Sequence, residues 1–75
     1  MDIVGFMMCL ENEGYSASLE RFKVYAVVPA AKNDPIDYLR IIDESGEDYL
    51  YPADWFETII LGTRIESRLV EAISA

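Results

Sequence analysis

A chain of 75 residues has room for one domain, and its 52% apolar residues are enough to build a core. Fourteen acidic residues against six basic ones give a net charge of −8, which repels phosphate groups, so neither nucleic acid nor an anionic membrane surface is expected as a partner. The single cysteine, Cys9, excludes an internal disulfide and favours a reducing compartment.

The first predicted element is a buried strand over Ile3–Leu10, which is apolar apart from Gly5. This run is far shorter than the roughly 20 residues of a membrane span. The two residues before it carry no basic charge, so a secretory signal is not expected. We therefore expect a cytoplasmic protein.

The clearest strand is predicted over Phe22–Pro29, after turn residues at Glu11–Gly14 and a polar connecting arm at Tyr15–Leu19. Side chains alternate between the two faces of a strand. The expected core face consists of Phe22, Val24, Ala26 and Val28.

The next strand is predicted over Asp37–Asp43, after a loop that ends at Asn33-Asp34-Pro35. Large apolar residues fall on both of its faces, with Leu39 and Ile41 on one and Ile42 on the other. This pattern indicates a central strand, or one whose outer face is covered.

The stretch Asp43–Ile59 predicts a hairpin turn, a strand, a single 3₁₀ turn and a closing strand. Gly46 permits the positive φ of a short hairpin loop, and Pro52 ends the strand over Tyr49–Tyr51 because proline cannot donate a ladder hydrogen bond. The last strand resumes at Thr58. Five short strands with tight turns predict a small closed or nearly closed β-barrel.

The C-terminal segment changes to helical periodicity, with Thr63 and Glu66 in the pattern of a capping box. Ile65, Leu69 and Ile73 form its apolar stripe. A helix of about 12 residues is marginal alone, so it must dock either on its own barrel or on a second copy. The expected organisation is therefore a barrel over residues 1–61 and a helix over residues 62–75.

The run Tyr51-Pro52-Ala53-Asp54-Trp55-Phe56-Glu57-Thr58-Ile59 resembles the end of SH3 domains, where such a run makes a 3₁₀ turn between the last two strands. Most of residues 7–60 also resembles small uncharacterised bacterial SH3-like barrel proteins. The SH3 resemblance implies that Pro52 and Trp55 line a groove for proline-rich peptides. The early Ala-Leu-Tyr-Asp-Tyr run of SH3 domains and the tryptophan of their central strand have no counterpart here. The second resemblance, to the bacterial barrel proteins, implies a fold and no established activity.

Aromatic side chains are the first candidate site, because aromatics near a barrel rim stack on extended or proline-rich peptides while acids nearby attract basic residues. The alternative is that most of them pack on strand faces. The predicted partner-binding residues are Tyr15, Tyr49, Tyr51, Pro52 and Trp55.

Charged residues offer weaker candidates. The acids Asp43, Glu44, Glu47 and Asp48 match no calcium-loop spacing and are expected to form a solvated turn. The basic residues Arg21, Lys23 and Arg40 form either a small basic spot or cross-strand ion pairs.

No catalytic constellation is found in the sequence. There is no histidine, Cys9 lies in an apolar run, and the four glycines are scattered. We expect no enzyme, no metal and no cofactor, and predict a non-catalytic binding or regulatory module that engages a protein or peptide. The first alternative is a self-associating structural protein, in which Ile65, Leu69 and Ile73 form the contact of a homodimer. The second is a minor enzymatic or metal-binding role.

Overall fold

The computed structural model describes residues 2–74 as one five-stranded antiparallel sheet, a 3₁₀ turn and a C-terminal helix. Met1 and Ala75, the outer ends of the two predicted units, lie outside the described residues. The strands are β1 (Gly5–Cys9), β2 (Val24–Val28), β3 (Tyr38–Ile42), β4 (Asp48–Pro52) and β5 (Phe56–Thr58). The 3₁₀ turn covers Ala53–Trp55 and the helix α1 covers Thr63–Ser74. All five predicted strands are confirmed, although β5 begins at Phe56 instead of Thr58.

The order of strands across the sheet is β4-β3-β2-β1-β5, so the last two strands lie at opposite ends. Neighbouring strands are about 4.8 Å apart, so a flat sheet would separate its two end strands by roughly 19 Å. The 3₁₀ turn that connects them rises only about 2 Å per residue. The sheet must therefore curl strongly. Within residues 2–74, however, β4 and β5 do not pair with each other, so the sheet is not closed by hydrogen bonds.

Both faces of the central strands are buried. Tyr25 and Val27 of β2 belong to the main cluster, which also contains Leu19, Ile41 and Phe56. A second cluster on the opposite face consists of Phe6, Ala26, Val28 and Ile42. The expected core face of β2 is therefore only one of two.

Phe22 does not belong to the core, contrary to the expectation. Its side chain is 64% exposed, and its backbone has φ 65°, which places it in the turn before β2. The strand predicted from Phe22 begins at Val24 in the structure. Alternation of apolar residues cannot detect the change of backbone conformation that separates the turn from the strand. Leu19, which the sequence placed in a polar arm, is fully buried instead.

The hairpin between β3 and β4 has a three-residue loop. Gly46 N–H donates to the carbonyl of Asp43, and Asp43 N–H donates to the carbonyl of Glu47. Gly46 has φ 84°, as a type I turn followed by a left-handed residue requires. The hairpin predicted from Gly46 is therefore confirmed.

Helix α1 begins one residue earlier than the predicted capping box implies. Glu66 N–H donates to the carbonyl of Gly62 at 3.0 Å, so Gly62 and not Thr63 occupies the N-cap. Leu69 packs against the second cluster, near Val24 and Ile42, so the helix contacts its own sheet. None of its described residues is buried. The described residues also include no helix with the length and apolar character that crossing a bilayer requires.

Candidate functional site

Three aromatic rings from two parts of the chain meet beside the 3₁₀ turn. The ring of Tyr15 contacts those of Tyr51 and Trp55 edge-on, with centroids 5.4 and 5.8 Å away. Tyr51 and Trp55 are stacked at 6.3 Å. Offset and edge-on pairs at such distances are the favoured geometries of aromatic rings. Tyr15 stays half exposed, whereas Tyr51 is buried.

The long loop between β1 and β2 holds Tyr15 in place through its backbone. The carbonyl of Tyr15 accepts hydrogen bonds from the N–H groups of Ser18 and Leu19, which forms a single helical turn. The side-chain amide of Asn12 donates to the carbonyl of Leu19. Because the buried Leu19 anchors this turn in the core, the loop presents Tyr15 at a defined position.

A shallow groove of about 420 Å³ lies between this loop and the β3–β4 hairpin. The N–H of Glu44 donates to the carbonyl of Ser18, which joins the two walls. The residues that line the groove are Tyr15, Ser18, Asp43, Ser45, Tyr49, Leu50 and Tyr51. None of these residues is basic.

Asp43 is a buried carboxylate at the base of the groove, with 6% of its surface exposed. Its oxygens accept hydrogen bonds from the backbone and hydroxyl of Ser45 and, at 2.6 Å, from the hydroxyl of Tyr51. Burial by itself would raise the pKa of Asp43, but the hydrogen bonds from Ser45 and Tyr51 outweigh it and hold that pKa below its usual value. Burial and the bond to Asp43 raise the pKa of Tyr51 to about 12. The groove therefore contains a carboxylate that stays ionised near neutral pH.

No basic side chain of residues 2–74 forms an ion pair with Asp43. Its neighbour Glu44 is different, because it accepts hydrogen bonds from Lys23 at 2.7 Å and from the hydroxyl of Tyr25. The bond from Lys23, followed by the one from Tyr25, lowers the pKa of Glu44. The charge of Asp43 is thus the uncompensated one at the groove.

Arg40 forms ion pairs with two carboxylates. Its guanidinium contacts both oxygens of Asp34, at 2.6 and 3.0 Å, and one oxygen of Asp48 at 2.9 Å. These bonds lower the pKa of Asp34 and raise that of Arg40. Lys23 and Arg40 therefore form ion pairs, which was one of the two alternatives predicted for the basic residues. Asp43, which was predicted to lie in a solvated turn, is buried instead.

The five predicted partner-binding residues are partly brought together. Tyr15, Tyr49 and Tyr51 line the groove, and Trp55 stacks on Tyr51 behind it. Pro52 is half-buried at the end of β4, directly before the 3₁₀ turn. Sequence reasoning had not included the other lining residues, which are Ser18, Asp43, Ser45 and Leu50. Asp43 had a signal, since an Asp two residues before a serine at a turn is typical of an Asx hydrogen bond.

The predicted self-association stripe is divided between two environments. Leu69 packs on the sheet of its own chain. Ile65 and Ile73 are 56% and 36% exposed. Self-association through all three residues therefore stays a prediction. One of the three, Leu69, already contacts the sheet of its own chain.

Other chemistry-bearing groups do not gather into a site within the described part of the chain. No group of three or more His, Cys, Asp or Glu side chains there has the arrangement of a metal centre. Cys9 is buried, its thiol donates to the carbonyl of Glu11, and desolvation raises its pKa, so it is a poor nucleophile.

Comparison with known proteins returned no relative: no protein-family model matches the chain, and no curated protein and no solved structure is significantly similar to it.

Proposed function

We propose that this protein is a non-catalytic binding module with an SH3-like barrel, which engages an extended basic segment of a partner protein in the groove between Tyr15 and Tyr49. The observation that carries the proposal is the convergence of aromatic rings and one uncompensated carboxylate, Asp43, on the same groove. The 3₁₀ turn between the last two strands and the curl of the sheet support the barrel. A lone buried cysteine fits a module that works in the reducing cytoplasm.

The groove suits an extended peptide for physical reasons. Aromatic side chains supply a large contact area at a low cost in conformational entropy. Lysine and arginine side chains are attracted to the faces of such rings by about 0.5–1 kcal/mol at exposed sites. The net charge of −8 adds a field that steers basic segments towards the protein and repels acidic ones.

Trp55 provides a direct test, because it is the only tryptophan of the chain and contacts the rings that line the groove. A panel of short peptides is titrated into the labelled protein. It comprises basic proline-rich peptides, basic peptides without proline, and acidic peptides of matched length. We expect at least one of the two classes of basic peptide to change the fluorescence of Trp55 and to shift the NMR signals of Tyr15 and Tyr49, and the acidic peptides to have no effect.

A pair of variants distinguishes binding in the groove from non-specific binding to exposed aromatic rings. Tyr49→Ala removes a half-exposed ring of the groove, and Phe22→Ala removes a similarly exposed ring that does not line it. We expect weaker binding only for Tyr49→Ala. A peptide footprint that misses Tyr15, Tyr49, Tyr51, Pro52 and Trp55 would reject the site.

A further inference from the structure

The groove runs along the free edge of the sheet. Leu50 lies between Tyr49 and Tyr51 in β4, and successive side chains of a strand point to opposite faces. All three nevertheless line the groove. A groove that touches residues of both faces of one strand must pass its edge, and β4 is the outermost strand at that end of the sheet.

The register of the hairpin determines which backbone groups of β4 face this edge. Asp43 and Glu47 form a hydrogen-bonded pair. Hydrogen-bonded and non-hydrogen-bonded pairs alternate along an antiparallel ladder. Tyr49 and Tyr51, which lie opposite Ile41 and Leu39, therefore bond to β3.

The remaining positions of β4 are the non-bonded ones. The N–H and C=O groups of Asp48 and Leu50 point away from β3, towards the side where β4 has no neighbouring strand. The third such position is Pro52, which has no N–H to lose. Pro52 is the N-cap of the 3₁₀ turn and its carbonyl accepts the first hydrogen bond of that turn, so the edge offers two donors and two acceptors, those of Asp48 and Leu50.

The charges around the edge favour a cationic occupant. Asp43 is uncompensated, and Glu47 forms no ion pair with a described residue. The guanidinium of Arg40 is shared between Asp34 and Asp48, which leaves that group with a net negative charge. A second copy of this chain would bring the same acids against them, so pairing of two β4 edges is disfavoured.

Building on the function proposed above, we propose that the partner segment is a basic stretch that binds as an additional β-strand along β4. Its backbone bonds to Asp48 and Leu50, and every second side chain enters the groove beside Tyr15 and Tyr49. Strand addition of this kind takes its affinity from main-chain hydrogen bonds and its specificity from alternate side chains. A proline-rich segment cannot bind in this way, because it lacks the N–H groups.

Three synthetic probes test this mode. The first is a short peptide in which lysine and valine alternate. The second has the same length and charge but carries proline in place of every valine. The third is the first peptide with N-methyl groups on alternate residues. We expect the first to bind and the proline peptide not to bind. When the methylated nitrogens are those that face β4, affinity falls by about tenfold for each bond lost.

Amide hydrogen exchange gives a readout that side-chain docking alone would not change. In the free protein, we expect the amides of Asp48 and Leu50 to exchange fast and those of Tyr49 and Tyr51 to exchange slowly, because only the latter two bond to β3. Binding of the first peptide is expected to protect Asp48 and Leu50, with Tyr49 and Tyr51 slow throughout.

A protein variant provides an independent check. Leu50→Pro removes an N–H that makes no bond to β3, and Leu50→Ala is its matched control with the N–H retained. We expect Leu50→Pro to bind about tenfold more weakly than Leu50→Ala, because the two variants differ by the one N–H that bonds to the added strand. Should Leu50→Pro fail to fold, the exchange pattern of the unmodified protein decides the question.

The outcomes separate the two proposals. Binding in the groove that leaves exchange at Asp48 and Leu50 unchanged, with the proline peptide equally effective, overturns strand addition and leaves the binding module standing. If no peptide of either panel perturbs Tyr15, Tyr49 or Trp55, the binding module itself is rejected, and strand addition is rejected with it.

Discussion

The hydroxyl of Tyr51 donates a 2.6 Å hydrogen bond to Oδ2 of Asp43, and both residues are buried. This bond joins the middle of the groove to the start of the β3–β4 hairpin. The bond fixes the position of the ionised carboxylate relative to the aromatic ring. The stability of the fold and the shape of the candidate site therefore depend on the same pair of residues.

Removing the hydroxyl from this pair is expected to destabilise the protein. Tyr51→Phe leaves a buried carboxylate oxygen without its donor, which costs about 1–3 kcal/mol of the free energy of unfolding. Urea denaturation measures the change. The matched control is Tyr49→Phe, whose hydroxyl makes only an exposed 3.2 Å bond to Glu47 and is expected to contribute nothing measurable. Equal effects of the two variants would contradict the assigned role of the buried bond.

Stability is expected to fall in acid, because the folded protein holds the pKa values of Asp43 and Glu44 below their ordinary values of 3.8 and 4.5. For a group whose pKa is lower in the folded state, the stabilising contribution is complete above the unfolded pKa. It is lost as the pH falls through the folded one. Unfolding free energies measured from neutral pH down to about pH 3 should decline below about pH 4.5. Asp43→Asn should be less stable at neutral pH and show a shallower decline, and an unchanged slope would contradict the contribution of Asp43.

The backbone at Phe22 predicts an unusual order of substitutions. Its φ of 65° is in the left-handed region, which costs a residue with a side chain about 1–2 kcal/mol. Phe22→Gly should therefore be more stable than Phe22→Ala by about 1 kcal/mol.

Ile60 is the control for this order, since it is 96% exposed and is not among the residues with positive φ. There, Ile60→Ala should be at least as stable as Ile60→Gly. Thermal or urea denaturation of the four variants provides the comparison. The same order of glycine and alanine at both sites would exclude strain at Phe22.

Leu69 is expected to hold the helix on the sheet. Leu69→Ala removes the contact with the second cluster and should cost about 1–2 kcal/mol. Part of the helical signal in circular dichroism should be lost as well, because a helix of this length is marginal without docking. Ile65→Ala, at a position that is 56% exposed, serves as the control and should leave the signal unchanged.

The variant Ile65→Ala also tests the alternative of a homodimer. If Ile65 contributes to a contact between copies, Ile65→Ala should lower the molar mass seen by light scattering at high protein concentration. A strictly monomeric parent protein would remove the self-association hypothesis.

Local chemistry was sufficient to predict the elements of this fold. Gly46 specified the hairpin loop because few other residues accept its φ, and Pro52 marked the end of β4 because it sits where no N–H is needed. The period of Ile65, Leu69 and Ile73 specified a helix. Each of these features depends on residues close together in the chain, so the sequence alone determined them.

The tertiary structure decided everything that depends on distant residues. Burial of Leu19 and exposure of Phe22 follow from how the long β1–β2 loop returns to the sheet, which no local period records. The groove exists because Ser18 and Glu44 bond across it, and Asp43 is buried because the ring of Tyr51 reaches it from the neighbouring strand. Side-chain alternation assigns residues to faces, but the curvature of the sheet and the contacts between its loops arise only when all five strands are assembled.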